Sequence, residues 1–558
     1  MKSLFVSAAV LALVGAPLAA QTVSPAAIPA APKVDVPLMK QVVKRLAADD
    51  FEGRAPSTAV EPKVLDYIIS QFKAVGLKPA GEKGGWLQTV PTVEIKGSNH
   101  SPLTITGGAQ PLRFTWGDDF TITSFRVTPH TELKDAPLVF VGYGINAPEL
   151  GWNDYAGQDM HGKIAVILIN DPDYANPTEE GLFKGRRMTY YGRWVYKYEE
   201  AARQGAAGAL IIHDTFPAAY GWDVVRSSWA GAQYRVAKAN DDMDQTVANG
   251  WVQQAVAKQI FAAAGKDYAA LVAAAGHKGF TAVPLGVSGS LSFDNAIRRS
   301  VSHNVVGVLP GKAAPQEYVL YSAHWDHLGR CGVSVEGRPG DDICNGAVDN
   351  ATGVAALTAL AEANHKAAPA RRSQLFVALT LEESGLLGSE YYAQHPIVPL
   401  SKTVGGVNMD ALPTMGRARD YAMTGGDKSD LTAIFRAALK KDGLYESPED
   451  HAERGHYYRS DHFSLAKRGV PMFDLSRGVD LFVGGKAAGQ KASEDYVEHR
   501  YHQPSDEYSD SWQWDGIAED VGLFYQLGRY LATSTAWPNW HQGDEFRAPR
   551  DASLKAGN

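Results

Sequence analysis

The most constraining feature of the sequence is an alternation of short apolar runs and amphipathic stretches between about residues 300 and 540. Strand-like runs lie at 318–323, 375–381, 404–409 and 470–475, and helix-like stretches lie at 353–365, 431–441 and 516–531. Apolar strands that alternate with helices predict an α/β fold, with a mostly parallel mixed sheet flanked by helices. In such sheets the active site lies beyond the carboxyl ends of the strands.

Ionisable residues gather where these predicted strands end. The residues are His324, Asp326, Glu382, Glu383 and Asp410, and two more candidates, Asp349 and His502, lie in predicted loops. A single acid at a strand end is more often the cap of the next helix. Several such residues at one sheet edge indicate a functional site instead.

The residue types of this cluster favour metal chemistry. Two imidazoles with three or four carboxylates and no cysteine suit zinc, with manganese or cobalt as substitutes. The number of ligands exceeds what one open catalytic zinc uses, and it fits two metals that share a carboxylate. Two metals predict hydrolysis, because they lower the pKa of water and polarise the scissile carbonyl. Of the adjacent acids Glu382 and Glu383, one could bind metal while the other accepts a proton.

Two other hydrolase classes find no support in the sequence. No HExxH motif is present, which argues against a single-zinc helical metalloprotease. The segment 385–389 does not follow the nucleophile-elbow pattern of serine hydrolases.

The first twenty residues predict export. A lysine at position 2, an apolar run at 4–18 and small residues before Gln21 form the pattern of a secretory signal peptide. The alternative is an uncleaved anchor, but the run is short for a membrane span, and no later segment reaches eighteen apolar residues. We therefore expect a periplasmic or extracellular protein without stable membrane insertion. Cys331 and Cys344 could pair there, and we favour a disulfide over two free thiols.

The charge balance bears on possible partners. Lys and Arg number 54 and Asp and Glu number 62, so the formal net charge is −8. Phosphate binding needs a surplus of positive charge, and we therefore expect no nucleic-acid partner. The sequence carries no signal of oligomeric state.

The order of these motifs resembles a known family. His324-x-Asp326, Asp349-Asn350, Glu382-Glu383, Asp410 and His502 are similar to the M28 family of di-zinc peptidases, which are mainly aminopeptidases. The segments DFEGR at 50–54, RSDH at 459–462 and GVP at 469–471 resemble the same family. A middle block with GYG at 142–144 and GKI at 162–164 resembles the protease-associated domain inserted in many members.

The signal-like start, the composition of the leader and the resemblance together give a domain prediction. Residues 1–20 are a signal peptide, 21–37 a flexible leader, 38–129 the N-terminal part of the peptidase domain, 130–288 the protease-associated domain, and 289–558 the C-terminal part with the metal site. From its residues alone, the middle block is a small α/β unit with short strands, one helix and no catalytic constellation.

The resemblance also implies roles for the candidate residues. One zinc takes His324 and Asp410, the other takes Glu383 and His502, and Asp349 bridges the two. Glu382 is the general base that activates a metal-bridging hydroxide, and Asp326 orients His324. His462 helps to stabilise the oxyanion, unless it is a satisfied histidine at a helix start. The peptide bond after Asp349 is often cis in this family.

The leading functional prediction is an aminopeptidase that removes N-terminal residues from peptides. A carboxypeptidase or dipeptidase on the same scaffold is the alternative, and it needs a cation for a carboxylate, such as Arg459 or Arg477. A catalytically inactive receptor or binding protein is a third hypothesis, but every ligand position is filled. A zinc-dependent cyclising acyltransferase is a further relative.

Overall fold

The computed structural model of the chain describes residues 23–331 and 340–556. The predicted signal peptide lies outside these residues. In the described part of the chain, no helix combines the length and the apolar character needed to cross a membrane.

The helices are distributed along the whole described chain. They are α1 (Val36–Leu46), α2 (Glu61–Ala74), α3 (Trp194–Arg203), α4 (Thr215–Ala218), α5 (Trp222–Ala230), α6 (Gln254–Ala263), α7 (Tyr268–Ala275), α8 (Gly353–Lys366), α9 (Leu387–Gln394), α10 (Leu431–Asp442), α11 (His462–Ala466), α12 (Gly485–His499), α13 (Trp514–Thr533) and α14 (Arg547–Ala556). Short 3₁₀ helices include Asp49–Arg54 and His456–Tyr458, and one π-helical turn spans Ala347–Thr352.

In the described part of the chain, the strands form one large sheet and three small ones. They are β1 (Lys78–Pro79), β2 (Leu87–Ser98), β3 (Leu103–Thr106), β4 (Leu112–Phe114), β5 (Phe120–Thr123), β6 (His130–Phe140), β7 (Asn146–Ala147), β8 (Trp152–Asn153), β9 (Ile164–Leu168), β10 (Gly208–His213), β11 (Gln233–Val236), β12 (Ala248–Gln253), β13 (Val283–Leu309), β14 (Ala314–His324), β15 (Gly329–Arg330), β16 (Ile343–Cys344), β17 (Arg372–Leu379), β18 (Thr403–Asn408), β19 (Asp420–Met423), β20 (Tyr445–Glu446), β21 (Met472–Phe473) and β22 (Leu475–Arg477).

The large sheet has 15 strands, and its main path runs β21-β18-β14-β17-β13-β6-β9-β10-β12-β5. Strands β21, β18, β14 and β17 are mutually parallel, whereas β13 is antiparallel to β17 and β6. With helices packed against it, this mixed sheet confirms the predicted α/β class.

The strands that lead to the candidate site are buried on both faces. Every residue of β17 is buried, and its side chains alternate between two apolar cores. Phe376 and Ala378 face a core that includes residues of α1, α8 and α13. Leu375 and Val377 face a second core with Tyr392 of α9 and Leu465 of α11. This two-sided burial explains why the sequence shows an unbroken apolar run rather than an alternating pattern.

Strand β13 links the two halves of the sheet. It is 27 residues long and pairs with β6 of the middle block as well as with β2 and β17. The predicted boundary between residues 288 and 289 falls inside this strand, and the domain division stays a prediction. The middle block also packs on the C-terminal part, because the ring of Tyr190 lies 5.1 Å from that of Phe463.

Cys331 and Cys344 form a disulfide, which confirms the pairing expected from the sequence. Cys344 ends β16, which pairs with β15. This short ribbon lies in the chain between His324 and Asp349.

Candidate metal centre

The carboxyl ends of three parallel strands bring the predicted residues together. His324 is the last residue of β14, and it lies opposite Leu379, the last residue of β17. Ser322 of β14 lies opposite Asn408, the last residue of β18. Glu382 and Glu383 lie in the loop just after β17, and Asp410 lies in the loop just after β18, so all three ends place acids or imidazoles at one edge of the sheet.

Two imidazole nitrogens meet carboxylate oxygens at this edge. The Nε2 atom of His324 lies 3.1 Å from Asp410 Oδ1 and 3.2 Å from Asp349 Oδ1. The Nε2 atom of His502 lies 3.3 Å from Asp349 Oδ2 and 3.2 Å from Glu383 Oε2. Asp349 therefore offers one oxygen to each imidazole, at the centre of the group.

These spacings can be compared with the geometry of a bound metal. In a tetrahedral zinc site with bonds of about 2.0 Å, neighbouring ligand atoms are about 3.3 Å apart. The four nitrogen–oxygen distances are close to that edge length, and the donors are the imidazole and carboxylate groups that zinc accepts. The residues therefore fit two metal ions with Asp349 between them.

The loop that carries Asp349 is fixed by its neighbours. The peptide bond between Asp349 and Asn350 is cis, as the family resemblance implies. The buried carboxylate of Asp506 accepts hydrogen bonds from the backbone N–H groups of Val348 and Asp349 at 3.0 Å. The amide of Asn350 donates to the carbonyl of Met409 at 3.0 Å, which ties this loop to the end of β18.

Asp326 lies behind His324, fully buried. Its Oδ1 atom is 3.7 Å from His324 Nδ1, longer than a hydrogen bond, and its backbone carbonyl is closer to that nitrogen at 3.2 Å. Oδ1 accepts a hydrogen bond from the backbone N–H of Glu382 at 3.2 Å. Asp326 thus joins the ends of β14 and β17.

Glu382 is half-buried beside the ligand group. Among the described residues, none donates a hydrogen bond to its carboxylate. Burial raises the pKa of Glu382 well above its usual value; His324 opposes this shift, and the nearby carboxylates of Asp410, Glu383 and Asp461 add to it. A carboxyl group in this environment accepts a proton more readily than an ordinary glutamate.

The nearby acids also raise the pKa values of the imidazoles, whereas burial acts on an imidazole in the opposite direction. Burial disfavours the charged form of His502, but hydrogen bonds and charge from Asp349 and Glu383 outweigh it and raise its pKa to about 10. The pKa of His324 is raised well above its usual value despite burial, because Asp410 and Glu382 lie nearby. The carboxylates around both imidazoles therefore favour positive charge at this place.

His327 is a member of the cluster that the sequence pattern did not assign to the metals. Its Nδ1 atom lies 2.6 Å from Glu383 Oε1, and the His327 side chain is fully buried. Within the described residues, two groups could hold a metal ion. One consists of His327, Asp349 and Glu383, and the other of His324, Asp349 and Asp410. The sequence pattern alone could not reveal that His327 belongs to this cluster, because His324, three residues earlier, is the better match to the family motif.

His462 lies near the centre on a neighbouring segment. It is fully buried, its Nδ1 atom is 3.5 Å from Asp474 Oδ1, and its ring lies 4.6 Å from that of Tyr457. Two residues earlier, Ser460 donates a hydrogen bond to Asp410 Oδ2 at 2.6 Å. Ser460 thus contacts a predicted ligand, and the oxyanion role of His462 stays a prediction.

The part of the chain that carries this centre matches a known protein family. Residues 304–521 match the model of peptidase family M28, and this segment contains all predicted ligands and Glu382. A search of curated proteins finds no match.

Solved structures with similarity to the chain include three peptidases. An aminopeptidase from Aneurinibacillus sp. strain AM-1 is 19% identical, with 90% of this chain and 96% of that one covered, at a TM-score of 0.46. The zinc aminopeptidase BSAP from Bacillus subtilis is 15% identical, with coverages of 92% and 98% and a TM-score of 0.42. A peptidase M28 precursor from Shewanella amazonensis SB2B is 17% identical, with coverages of 89% and 94% and a TM-score of 0.40.

The sequence match spans the strands and loops of the candidate centre, and it makes residues 304–521 similar to peptidase family M28. The chain is a peptide hydrolase.

Proposed function

We propose that the chain is an exported aminopeptidase with two zinc ions, which removes N-terminal residues from peptides. One observation carries the proposal: two imidazole Nε2 atoms, each 3.1–3.3 Å from two carboxylates, share Asp349 beside the half-buried Glu382. His324, Asp349 and Asp410 would hold one ion, and Asp349, Glu383 and His502 the other. A complete ligand set also argues against an inactive binding protein.

Bound zinc ions supply activation of a water molecule and polarisation of the scissile carbonyl. The protein's own part in the proton transfer falls to Glu382. Its raised pKa suits a group that takes a proton from the attacking water and returns it to the leaving amine. The backbone N–H of Glu382 donates a hydrogen bond to Asp326, and this bond fixes the position of Glu382 relative to the loop of His324.

Recognition of a free N-terminus requires negative charge near the scissile bond. Asp410 offers the most accessible ligand carboxylate, with 22% of its side chain exposed, against 7% for Glu383. Asp461 is 1% exposed, so its carboxylate is not accessible to a substrate, and its charge helps to raise the pKa of Glu382. We propose that Asp410 and Glu382 provide the negative surface for the α-amino group.

Glu382→Gln tests this function. On peptides with a free N-terminus, kcat should fall by about 10²- to 10⁴-fold, while both zinc ions stay bound, because Glu382 is not among the proposed ligands. Glu132→Gln is the matched control, since Glu132 is an exposed residue of β6. Metal content by mass spectrometry, before and after chelation and zinc return, separates loss of metal from loss of the base.

Three outcomes would contradict the proposal. Equal cleavage of N-acetylated and free peptides would exclude an aminopeptidase. Full activity of Glu382→Gln would exclude its role as the base. Full activity after removal of all metal would exclude zinc.

Export and the role of the middle block belong to the same proposal. The signal-like sequence of the first twenty residues and the disulfide between Cys331 and Cys344 support an oxidising compartment. We propose that residues 130–288 are a protease-associated insertion. Tyr190 and Tyr191 of this block are buried in an apolar core.

A specific observation keeps the carboxypeptidase or dipeptidase alternative open. Arg477 is buried in a two-point ion pair with Asp520, at 2.7 and 3.0 Å, and is not available to a substrate. Arg459 is exposed, adjoins Ser460, and makes no ion pair within the described parts of the chain. Arg459→Gln should weaken cleavage of peptides with a free C-terminus, but not of C-terminally amidated ones, if Arg459 binds a terminal carboxylate. Arg454→Gln, an exposed change on the same segment, is the control.

A further inference from the structure

We propose that Arg54 is a positioning residue that fixes the distance between the loop of His324 and the loop of Asp349. The inference rests on the proposed function, because it assigns those residues to the two metals. Arg54 belongs to the DFEGR segment, and neither metal binding nor the proton transfer by Glu382 uses its side chain.

The guanidinium of Arg54 holds backbone, not acids. Its nitrogens donate to four carbonyl oxygens: Trp325 at 2.7 Å, Asn345 at 2.6 Å, Gly346 at 2.9 Å and Leu46 at 3.0 Å. The side chain is 0% exposed. Among the described residues, 23–331 and 340–556, none forms an ion pair with Arg54. A buried arginine ordinarily needs a carboxylate partner, so this pattern calls for another explanation.

The four carbonyls belong to the segments whose relative position determines the distance between His324 and Asp349. Trp325 lies between His324 and Asp326, on the loop after β14. Asn345 and Gly346 lie just before the turn that presents Asp349. Leu46 is the last residue of α1, so its hydrogen bond connects Arg54 to a helix outside the metal centre. Since one planar guanidinium reaches all four, a shift of either loop breaks at least one hydrogen bond.

The backbone around Arg54 is shaped for close approach. Glu52, Gly53 and Arg54 have φ values of 45°, 63° and 49°, all in the left-handed region. A Cβ atom on Gly53 would lie 2.4 Å from the carbonyl oxygen of Cys344 and 2.6 Å from that of Gly329. The segment therefore sits directly against the disulfide-closed ribbon of β15 and β16.

The charge of Arg54 has a separate effect. Burial lowers the pKa of Arg54 to about 10, while the nearby carboxylates of Asp506, Asp326, Asp349 and Glu383 act against this shift. The group stays charged at neutral pH and compensates part of the negative charge of the centre. Charge and hydrogen-bond geometry can be separated by mutation, because lysine keeps the charge but lacks the planar fork.

The chain offers a matched control in Arg550. Its guanidinium is also 0% exposed and also binds backbone carbonyls, Thr403 at 2.9 Å and Val404 at 3.0 Å. These carbonyls lie at the start of β18, whereas Asp410 lies beyond its end. Arg550→Met thus measures the cost of removing a buried, carbonyl-bound arginine far from the metals.

The experiment compares wild type, Arg54→Lys, Arg54→Met and Arg550→Met. The readouts are zinc affinity by competition with a chelator, kcat and KM on a free peptide, and urea unfolding. We expect Arg54→Met to weaken zinc binding by about 10- to 100-fold and to lower kcat more than it raises KM. Arg550→Met should lose stability without loss of zinc affinity. Arg54→Lys should recover stability more than zinc affinity.

Two results would overturn the inference. If Arg54→Met and Arg550→Met keep the same zinc affinity as wild type, Arg54 only stabilises the fold. If Arg54→Lys has the zinc affinity of wild type, the positive charge alone supports zinc binding and the planar geometry of the guanidinium is not needed. Should Arg54→Met not fold, the zinc affinity of Arg54→Lys decides. Failure of the proposed function is distinct, because wild type itself would then bind no zinc or cleave no peptide.

Discussion

The contact between His327 and Glu383 gives a prediction with a defined size. The two side chains are buried, and Nδ1 lies 2.6 Å from Oε1. A hydrogen bond to a charged group contributes about 1.5–3 kcal/mol, which corresponds to roughly 10- to 150-fold in an equilibrium constant. His327→Phe removes the donor and keeps most of the ring volume. We expect it to weaken the zinc site of Glu383 and His502 by that factor and to leave the site of His324 and Asp410 unchanged.

The assay is a two-site zinc titration against a chelator, with His303→Phe as the control. His303 has a similar contact, with Nδ1 2.9 Å from Glu61 Oε1, but it touches no proposed ligand. Equal zinc affinities in wild type and His327→Phe would refute the reasoning, and so would a loss confined to the site of His324. A loss far above 150-fold would show that His327 binds metal itself.

Three further predictions concern the pH dependence of zinc binding, the disulfide and Asp506. Zinc affinity should rise with pH, by about tenfold per unit for each proton displaced, because the pKa of His502 is raised to about 10 and its proton must leave; a chelator titration at pH 6, 7 and 8 measures this, and a flat profile contradicts it. Replacing Cys331 and Cys344 by serine should lower the free energy of unfolding by about 3 kcal/mol for a loop of this size; urea unfolding measures the loss, and an unchanged midpoint would count against it. Asp506→Asn should weaken zinc binding by about 10- to 100-fold, since the Asp506 carboxylate orients the backbone before Asp349; wild-type affinity would argue against that role.

The sequence was informative where function depends on short local patterns. Strands β14, β17 and β18 are buried on both faces near the centre, so their runs are apolar and easily recognised. Parallel strands must end at one edge, which is why acids and imidazoles at strand ends could be grouped from their positions in the sequence alone. His324, Glu382, Glu383 and Asp410 all follow this rule.

Features that depend on distant contacts were not predicted. Strands β2 and β13 are antiparallel partners. Buried residues alternate with less buried ones over 285–295 of β13, as in a half-buried strand, but no local pattern shows which distant segment such a strand pairs with. Arg54 contacts a carbonyl 271 positions away, which no periodicity can reveal. The sequence pattern favours His324 over His327 as the ligand, and only the fold shows that each imidazole belongs to a group that includes Asp349.

The length of β13 limits how the protein can move. The same strand is hydrogen-bonded to β6 in the middle block and to β2 and β17 in the peptidase part, with no linker between the two sets of pairs. A hinge between these parts would have to bend a continuous strand or break its ladder. As long as this ladder stays intact, the middle block and the part that carries the metal centre move together and not as two bodies that swing apart.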